Sequence, residues 1–322
     1  MEPLARWLVD KNEDGSRLDR ALIRRCGEGR KGLIMRLIRK GNVRVDGKRA
    51  QPSTRLVAGN EIYLPASLRE PEEAKTMGSG LVWRRGQDKK CAKQALTPYM
   101  TIYEDAQLLV VDKPAGAVVH GGSGYTSGLI EQIKLVRGLP DLRLAHRLDR
   151  DTSGCLLLVK ELAALRAVAA SFRDHEAEKS YFAWVMGWME DQAGRMRSHL
   201  SKGVVRGGER MVVDAGDGKE AVTDFQLVLR TEIAGLRLSL VALMPHHGRT
   251  HQLRVQLAQE GHAIAGDGKY GTADDLRAFR AIGGKGMALH AWRLRLRHPD
   301  TGLLLDFRAP WPKRWRWVHQ EA

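Results

Sequence analysis

Apolar positions in the first 65 residues follow a helical spacing twice and then alternate. Leu18, Leu22 and Ile23 share one face of a predicted helix, and Ile34, Leu37 and Ile38 share one face of the next, each backed by Arg or Lys. Gly41 is placed to end the second helix. Val43-Arg44-Val45 then alternates, Asp46-Gly47 signals a hairpin turn, and Ile62-Tyr63-Leu64 reads as a short strand. Residues 16–65 thus predict a small α/β module of two helices and a little sheet. Residues 66–97 break the pattern. Glu70 to Lys75 is charged, Met77 to Gly80 is small, Lys89 to Lys93 is basic, and no apolar period survives, so a linker is expected.

A larger module is expected over 98–318. Leu108 to Val111 reads as a buried strand, Lys113-Pro114-Ala115-Gly116 as a type I turn, Val118-Val119-His120 as further strand, and Gly121 to Gly124 as a mobile loop. Leu162 to Arg173 predicts a helix. Ser180 to Val185, Asp224 to Leu229 and Leu236 to Leu243 predict strands, and Thr250 to Glu260 predicts a helix stopped by Gly261. Many strands with few helices between them point to the α+β class. The expected architecture is a mixed, largely antiparallel sheet with flanking helices around a central cleft.

Charge sharpens the picture more than composition does. With 322 residues, 43% hydrophobic and 28% charged, the chain has room for one large and one small folded domain. The net charge is +15, and its placement is uneven: Arg17 to Arg55 holds 13 Lys or Arg against 3 Asp or Glu. Such a patch attracts a polyanion and releases its counterions. A lipid surface fits badly, because no strongly apolar helical face or lipidation signal accompanies the charge. Cys26, Cys91 and Cys155 are scattered, which argues against a disulfide framework and a cysteine zinc site. Met1 to Asp14 lacks a signal-peptide core and no stretch approaches a membrane span, so a cytoplasmic protein without a membrane partner is expected.

Candidate chemistry concentrates in Ala145 to Lys160, A-H-R-L-D-R-D-T-S-G-C-L-L-L-V-K. Asp149 stands between Arg147 and Arg150, Thr152-Ser153-Gly154 closes the turn, and Cys155 to Val159 supplies a buried strand. Such a strand can hold a carboxylate at the mouth of a cleft, and the flanking arginines can keep it ionised. Taken alone, these residues fit a structural arginine–aspartate pair better. His247 and His251 are spaced as metal ligands on a helix, but Gly248 between them and the lack of a carboxylate partner weaken that reading, and no metal is expected. The run Trp311 to Trp317 mixes aromatics with cations, as base-stacking surfaces do, although anchoring the tail is the simpler role.

Six fragments then match one family in order: D-K-P-A-G-A-V-V-H-G-G-S-G (112–124), H-R-L-D-R-D-T-S-G (146–154), E-K-S-Y-F-A-W-V (178–185), G-R-T-H-Q-L-R-V-Q (248–256), G-D-G-K-Y-G (266–271) and L-H-A-W-R-L-R-L-R-H-P-D-T-G (289–302). Together they resemble the RluA-type pseudouridine synthases. R-L-D-R-A-L, K-G-N-V-R-V-D-G-K-R and V-A-G-N-E-I-Y-L-P in the first module resemble the S-four RNA-binding domain. His247 stands where the pseudouridine synthases often have threonine and Ala263 where they often have proline, both apart from the proposed catalytic residues.

The resemblance implies an isomerase that cuts the N-glycosidic bond of uridine, turns the uracil and rejoins its C5 to the ribose, with no metal, nucleotide or redox cofactor. It implies large-subunit ribosomal RNA or a ribosome precursor as partner, with the enzyme expected as a monomer. Asp149 matches the essential aspartate, Tyr181 the tyrosine that stacks on the target base and takes the C5 proton late, and Arg254 the arginine that pairs with the aspartate. Arg147 matches the arginine that enters the RNA stack where the target nucleotide has left. Arg24, Arg25, Lys31, Arg36, Arg39, Lys40 and Arg44 are the matching candidates for RNA contacts in the first module, and the linker is expected to order on RNA. His146 reads as a packing or supporting residue. Two rivals use the same residues: a non-catalytic rRNA-binding assembly factor on this fold, and an RNA glycosylase or hydrolase.

Overall fold

Leu18, Leu22, Ile34 and Ile38 lose all contact with solvent between two short helices and a four-stranded antiparallel sheet. The computed structural model describes residues 5–26, 31–65, 68, 97–121, 127–206 and 209–319, and contacts divide the chain into two units, Met1–Asp88 and Lys89–Ala322. The first unit runs β1 (Ala5–Leu8), α1 (Leu18–Cys26), α2 (Lys31–Arg39), β2 (Arg44–Val45), β3 (Lys48–Arg49) and β4 (Glu61–Leu64). Its sheet order is β1-β4-β2-β3. Asp46 and Gly47 both take positive φ, +48° and +73°, the mirror-image turn that suits a two-residue hairpin. The sheet also takes a strand from ahead of Ser16. β1 pairs with β4 and sets the buried Trp7 opposite Ile62, a contact that a four-residue segment carrying a charge does not advertise. Of the expected linker, only Leu68, buried in this unit, and Thr97 lie within the described residues.

The second unit contains β5 (Met100–Glu104), β6 (Leu108–Lys113), α3 (Leu129–Arg137), β7 (Arg143–Leu144), β8 (Ser153–Val159), α4 (Leu162–Arg173), β9 (Glu178–Met186), β10 (Ala193–Arg206), β11 (Glu209–Asp214), β12 (Lys219–Ile233), β13 (Leu236–Pro245), α5 (Gln252–Gln259), α6 (Ala273–Ala281), β14 (Leu289–Arg297) and β15 (Leu304–Arg308). Its eleven-stranded sheet follows the order β11-β10-β12-β13-β9-β14-β8-β6-β5, with β15 on β14 and β7 on β8. Among the described strands only the β14–β8 pair is parallel, so the expected mixed, largely antiparallel α+β fold is present. The continuous apolar run of β8 has a simple cause, burial on both faces. Cys155, Leu157 and Val159 join one core while Leu156 and Leu158 join another, and β6 divides its residues in the same way.

Several local expectations are corrected. Val118 to His120 is not strand. The carbonyls of Val118 and Val119 accept from the N–H groups of Leu129 and Ile130, so the segment caps the start of α3 instead of joining a ladder. The turn after β6 closes between Pro114 and Ala117. Gly116 has φ +85° at its third position, as a type II turn requires, not type I. Of the Gly121 to Gly124 loop, only Gly121 is described. Helix α3 and the β10–β11 hairpin were not foreseen, whereas α4 spans the predicted residues. Trp315 and Trp317 are buried in the main core and Trp311 is exposed, so the C-terminal aromatic run anchors the tail.

Candidate active site

The turn carrying Asp149 joins β7 to β8 and is held from below. The Thr152 N–H donates to the Asp149 carbonyl at 3.2 Å, and the Gly116 N–H donates to the Arg150 carbonyl at 2.8 Å. Lys113, fully buried at the end of β6, donates from Nζ to the carbonyls of Arg150 (2.8 Å), Ala117 (2.8 Å) and Pro114 (3.0 Å). Burial pushes its pKa down to about 7, while three carbonyls take the three N–H bonds of the ammonium form. Lys113→Met is therefore expected to destabilise the catalytic unit by about 2 kcal/mol, because the buried Ala117 carbonyl loses its one donor among the described residues and the Arg150 and Pro114 carbonyls each lose a second. The check is the thermal unfolding midpoint, and an unchanged midpoint would contradict the clamp. Gly154 has its own necessity. It sits at φ +112°, and a Cβ there would meet the Ala291 carbonyl oxygen at 2.1 Å across the parallel β8–β14 pair.

The flanking arginines do not pair with Asp149, contrary to expectation. Arg150 forks onto Asp151 at 3.1 and 3.0 Å, and the exposed Arg147 has no carboxylate partner among the described residues. A turn sends neighbouring side chains in different directions, so adjacency in sequence does not become contact. The cation that reaches Asp149 is Arg254 of α5, with Nη1 3.4 Å from Oδ2. Arg254 is buried (7% exposed) and is bound first to Asp267, Nε to Oδ2 at 2.7 Å and Nη2 to Oδ1 at 2.8 Å. Burial alone would lower its pKa, but the Asp267 fork, with Asp149 beyond it, holds the guanidinium above its ordinary range. Burial works to raise Asp267, yet Arg254 and the N–H groups of Lys269 and Tyr270 bring its carboxyl below the usual range. One guanidinium thus serves two carboxylates, one structural and one facing the cleft.

Polar side chains fix α5 in turn. Gln252 Nε2 donates to the Val222 carbonyl and to Thr223 Oγ1. The Thr223 hydroxyl donates to Gln256 Oε1 at 2.7 Å, and Gln256 Nε2 donates to Ser198 Oγ and the Ala221 carbonyl. Every residue from Gln252 to Leu257 is buried, so the helix is locked across β10 and β12.

Asp149, Tyr181 and Arg254 line one cleft of about 250 Å³, together with Arg147, Lys179 and Arg249. Tyr181 on β9 packs between two core clusters. Burial, with the Asp149 charge beside it, pushes its phenol well above the ordinary value, so the ring stands in the cleft protonated. A protonated phenol can stack and hydrogen-bond, but it takes up a C5 proton only if it passes its own along. His146 accepts the Leu157 N–H at Nε2 (3.0 Å), and burial lowers its pKa to about 4, so it acts as a neutral support for β8. His246, His247 and His251 turn to separate partners: Asp224, the Val222 N–H and Tyr270.

In the first unit, Arg24, Arg25, Arg36, Arg39, Lys40 and Arg44 are exposed; the Lys31 side chain lies outside the described set. Arg24 is held by Ser16 and Glu13, Arg25 stacks on Trp7, and Arg44 bonds the Gly47 carbonyl. Arg36, Arg39 and Lys40 have no side-chain partner among the described residues. Sequence reasoning left Asp267, Tyr270 and Lys113 out of the site and weighed His251 only as a metal ligand, whereas the structure ties all four into the surroundings of Asp149. G-D-G-K-Y-G carried the available signal, since a fixed acid and a fixed phenol in a glycine-rich turn need a reason.

Residues 107–259 match the model of the RNA pseudouridylate synthase family, and residues 16–62 match the S4 domain. Over 306 residues the chain is 36% identical to the ribosomal large subunit pseudouridine synthase C of Yersinia pestis, covering 94% of this chain and 90% of that one. The protein of the same name from Escherichia coli K12 is 36% identical over 307 residues, covering 94% and 91%. Among solved structures, human RNA pseudouridylate synthase domain containing 1 superimposes with a TM-score of 0.58 at 25% identity, over 68% of this chain and 86% of that one. Agreement along nearly the whole length, from the basic first unit through the aspartate turn to α5, means that the chain belongs to the RNA pseudouridylate synthase family and is an isomerase with an S4 domain ahead of its catalytic fold.

Proposed function

We propose that this enzyme converts uridines of large-subunit ribosomal RNA to pseudouridine, with Asp149 as the reacting group. The observation that carries this reading is the Asp149 carboxylate, 3.4 Å from a buried guanidinium, in a cleft whose other charged walls are the cations Arg147, Lys179 and Arg249. A polyanion suits such a mouth, and a carboxylate suits the chemistry. The N1–C1′ bond of uridine breaks, the uracil turns, C5 bonds to C1′, the C5 proton leaves and N1 gains one. Asp149 either attacks covalently or stabilises the electron-poor sugar while the base is detached. Tyr181 offers its ring to the detached base as a stacking surface. Arg147, exposed at the rim, has the planar cation needed to fill the gap left by an everted nucleotide. The reading extends to a cytoplasmic enzyme that works as a monomer.

The S4 unit gives this reading its affinity. Replacing Arg36, Arg39 and Lys40 together by Gln is expected to weaken RNA binding similarly across sequences. It should also flatten the plot of log affinity against log salt by about 2 units, at roughly 0.7–0.9 per lost phosphate contact. Filter binding across a salt series checks it, and an unchanged slope would take these cations out of the interface. The reading as a whole is tested by mapping pseudouridine in total RNA from a strain lacking this gene. Sites in large-subunit RNA should vanish and return with the wild-type gene. An unchanged map would refute the substrate, and free uracil with an abasic site would make the protein a glycosylase.

A further inference from the structure

Asp149 Oδ2 faces two donors. Arg254 Nη1 lies 3.4 Å from it and His251 Nε2 lies 3.8 Å from it, while Oδ1 accepts no hydrogen bond among the described residues. The other nitrogen of His251, Nδ1, is 2.8 Å from Tyr270 Oη. That oxygen also accepts the Val212 N–H at 3.1 Å, from β11 at the sheet edge. A tyrosine hydroxyl has one proton to give, and Nδ1 is its only acceptor among the described residues. Nδ1 is then the bare nitrogen, and the imidazole proton sits on Nε2, facing the carboxylate.

The surroundings fix this arrangement. The Arg254 guanidinium lies 5.1 Å over the Tyr270 ring, and the His251 and Tyr270 rings meet edge to face at 5.6 Å. His251 takes φ +54°, a conformation that costs energy in a residue other than glycine, and it precedes the first turn of α5. Burial outweighs the neighbouring Asp149 charge and, with Arg254 and Lys269 close by, pushes the imidazole pKa below its ordinary value. A neutral N–H donor orients a carboxylate without adding a second full cation beside it.

We infer that His251 is a positioning residue for Asp149, held by Tyr270 as its Nε2–H tautomer, so that Oδ2 is fixed and Oδ1 is the oxygen that meets the nucleotide. This rests on Asp149 being the reacting group. At 3.8 Å the contact is longer than a hydrogen bond, and contacts of this kind tighten when substrate binds.

The test begins with side-chain nitrogen spectra of ¹⁵N-histidine-labelled full-length protein, with His251 assigned by substitution. The wild type should show a protonated Nε2 and a bare Nδ1, and Tyr270→Phe should show both tautomers mixed. With RNA saturating, His251→Leu should lower kcat roughly ten- to a hundredfold, the effect of one lost hydrogen bond to a charged group. RNA affinity should stay within about twofold, and His251→Gln, whose amide can still donate, should recover most of the rate. A proton on Nδ1 in the wild type overturns the inference, as does an unmoved tautomer in Tyr270→Phe, or an affinity loss in His251→Leu as large as its rate loss. If Asp149→Asn keeps full activity, the reading of the carboxylate fails instead, and the His251 spectra are unaffected by that result.

Discussion

Asp149→Asn is expected to lower pseudouridine formation by at least about 10⁴-fold while leaving RNA affinity within a few-fold, because the group proposed to meet the reacting atoms is the one carboxylate lining the cleft among the described residues. Asn fills the same volume, so what it removes is charge and nucleophilicity. The other acid within reach of Arg254 is Asp267, which is buried and has both oxygens on the guanidinium. It cannot turn towards a nucleotide without abandoning that fork. Arg254 in turn stays paired when Asp149 loses its charge, so folding stability should move by less than about 1 kcal/mol. Single-turnover assays at saturating RNA, read as pseudouridine by mass spectrometry, separate this from a binding defect. A variant within about tenfold of wild type would remove Asp149 from the chemistry and would restore the case for an RNA-binding protein without turnover.

Legibility in the sequence followed how local each feature is. The helix from Leu162 to Arg173 has its period and its ends in one stretch of chain, and the predicted and observed boundaries agree. Val118 to His120 has the composition of a strand, but its carbonyls are claimed by the first turn of α3, a tertiary fact that no local pattern contains. The long β10–β11 hairpin at the sheet edge was missed because much of it is polar. In the site, the turn at Asp149 and the buried strand after it could be read because they are contiguous, while the role proposed for the carboxylate came from the family motif. Its electrostatic partner could not be read in the same way. Arg147 and Arg150 lie within two residues of Asp149 and do not bind it, while Arg254 lies 105 residues away and does. Only the family motif pointed to that pairing. Even so, it gave half the arrangement, since Asp267, 13 residues beyond Arg254, is the nearer partner.

That nearer partner carries the second large effect. Asp267→Asn is expected to destabilise the catalytic unit by about 3–5 kcal/mol, the typical result of leaving one member of a buried ion pair without the other. Turnover should fall by roughly 10²-fold, because a guanidinium freed from its fork no longer holds a fixed Nη1 towards Asp149 Oδ2. Asn keeps an oxygen for the N–H groups of Lys269 and Tyr270, so the loop that presents them need not unravel. Arg254→Met should cost a similar amount of stability by stranding the Asp267 carboxylate, whose side chain is 1% exposed. The double variant separates structure from catalysis. Once both charges are gone, neither is stranded, and the combined stability loss should fall short of the sum of the singles by up to about 3 kcal/mol. Turnover should remain as low as in Arg254→Met, because Asp149 still lacks its cation. Unfolding midpoints and single-turnover rates on the same four proteins give both cycles. Additive stability losses would mean that the Arg254–Asp267 fork is not a coupled pair, and recovery of turnover in the double variant would mean that Asp149 does not depend on Arg254.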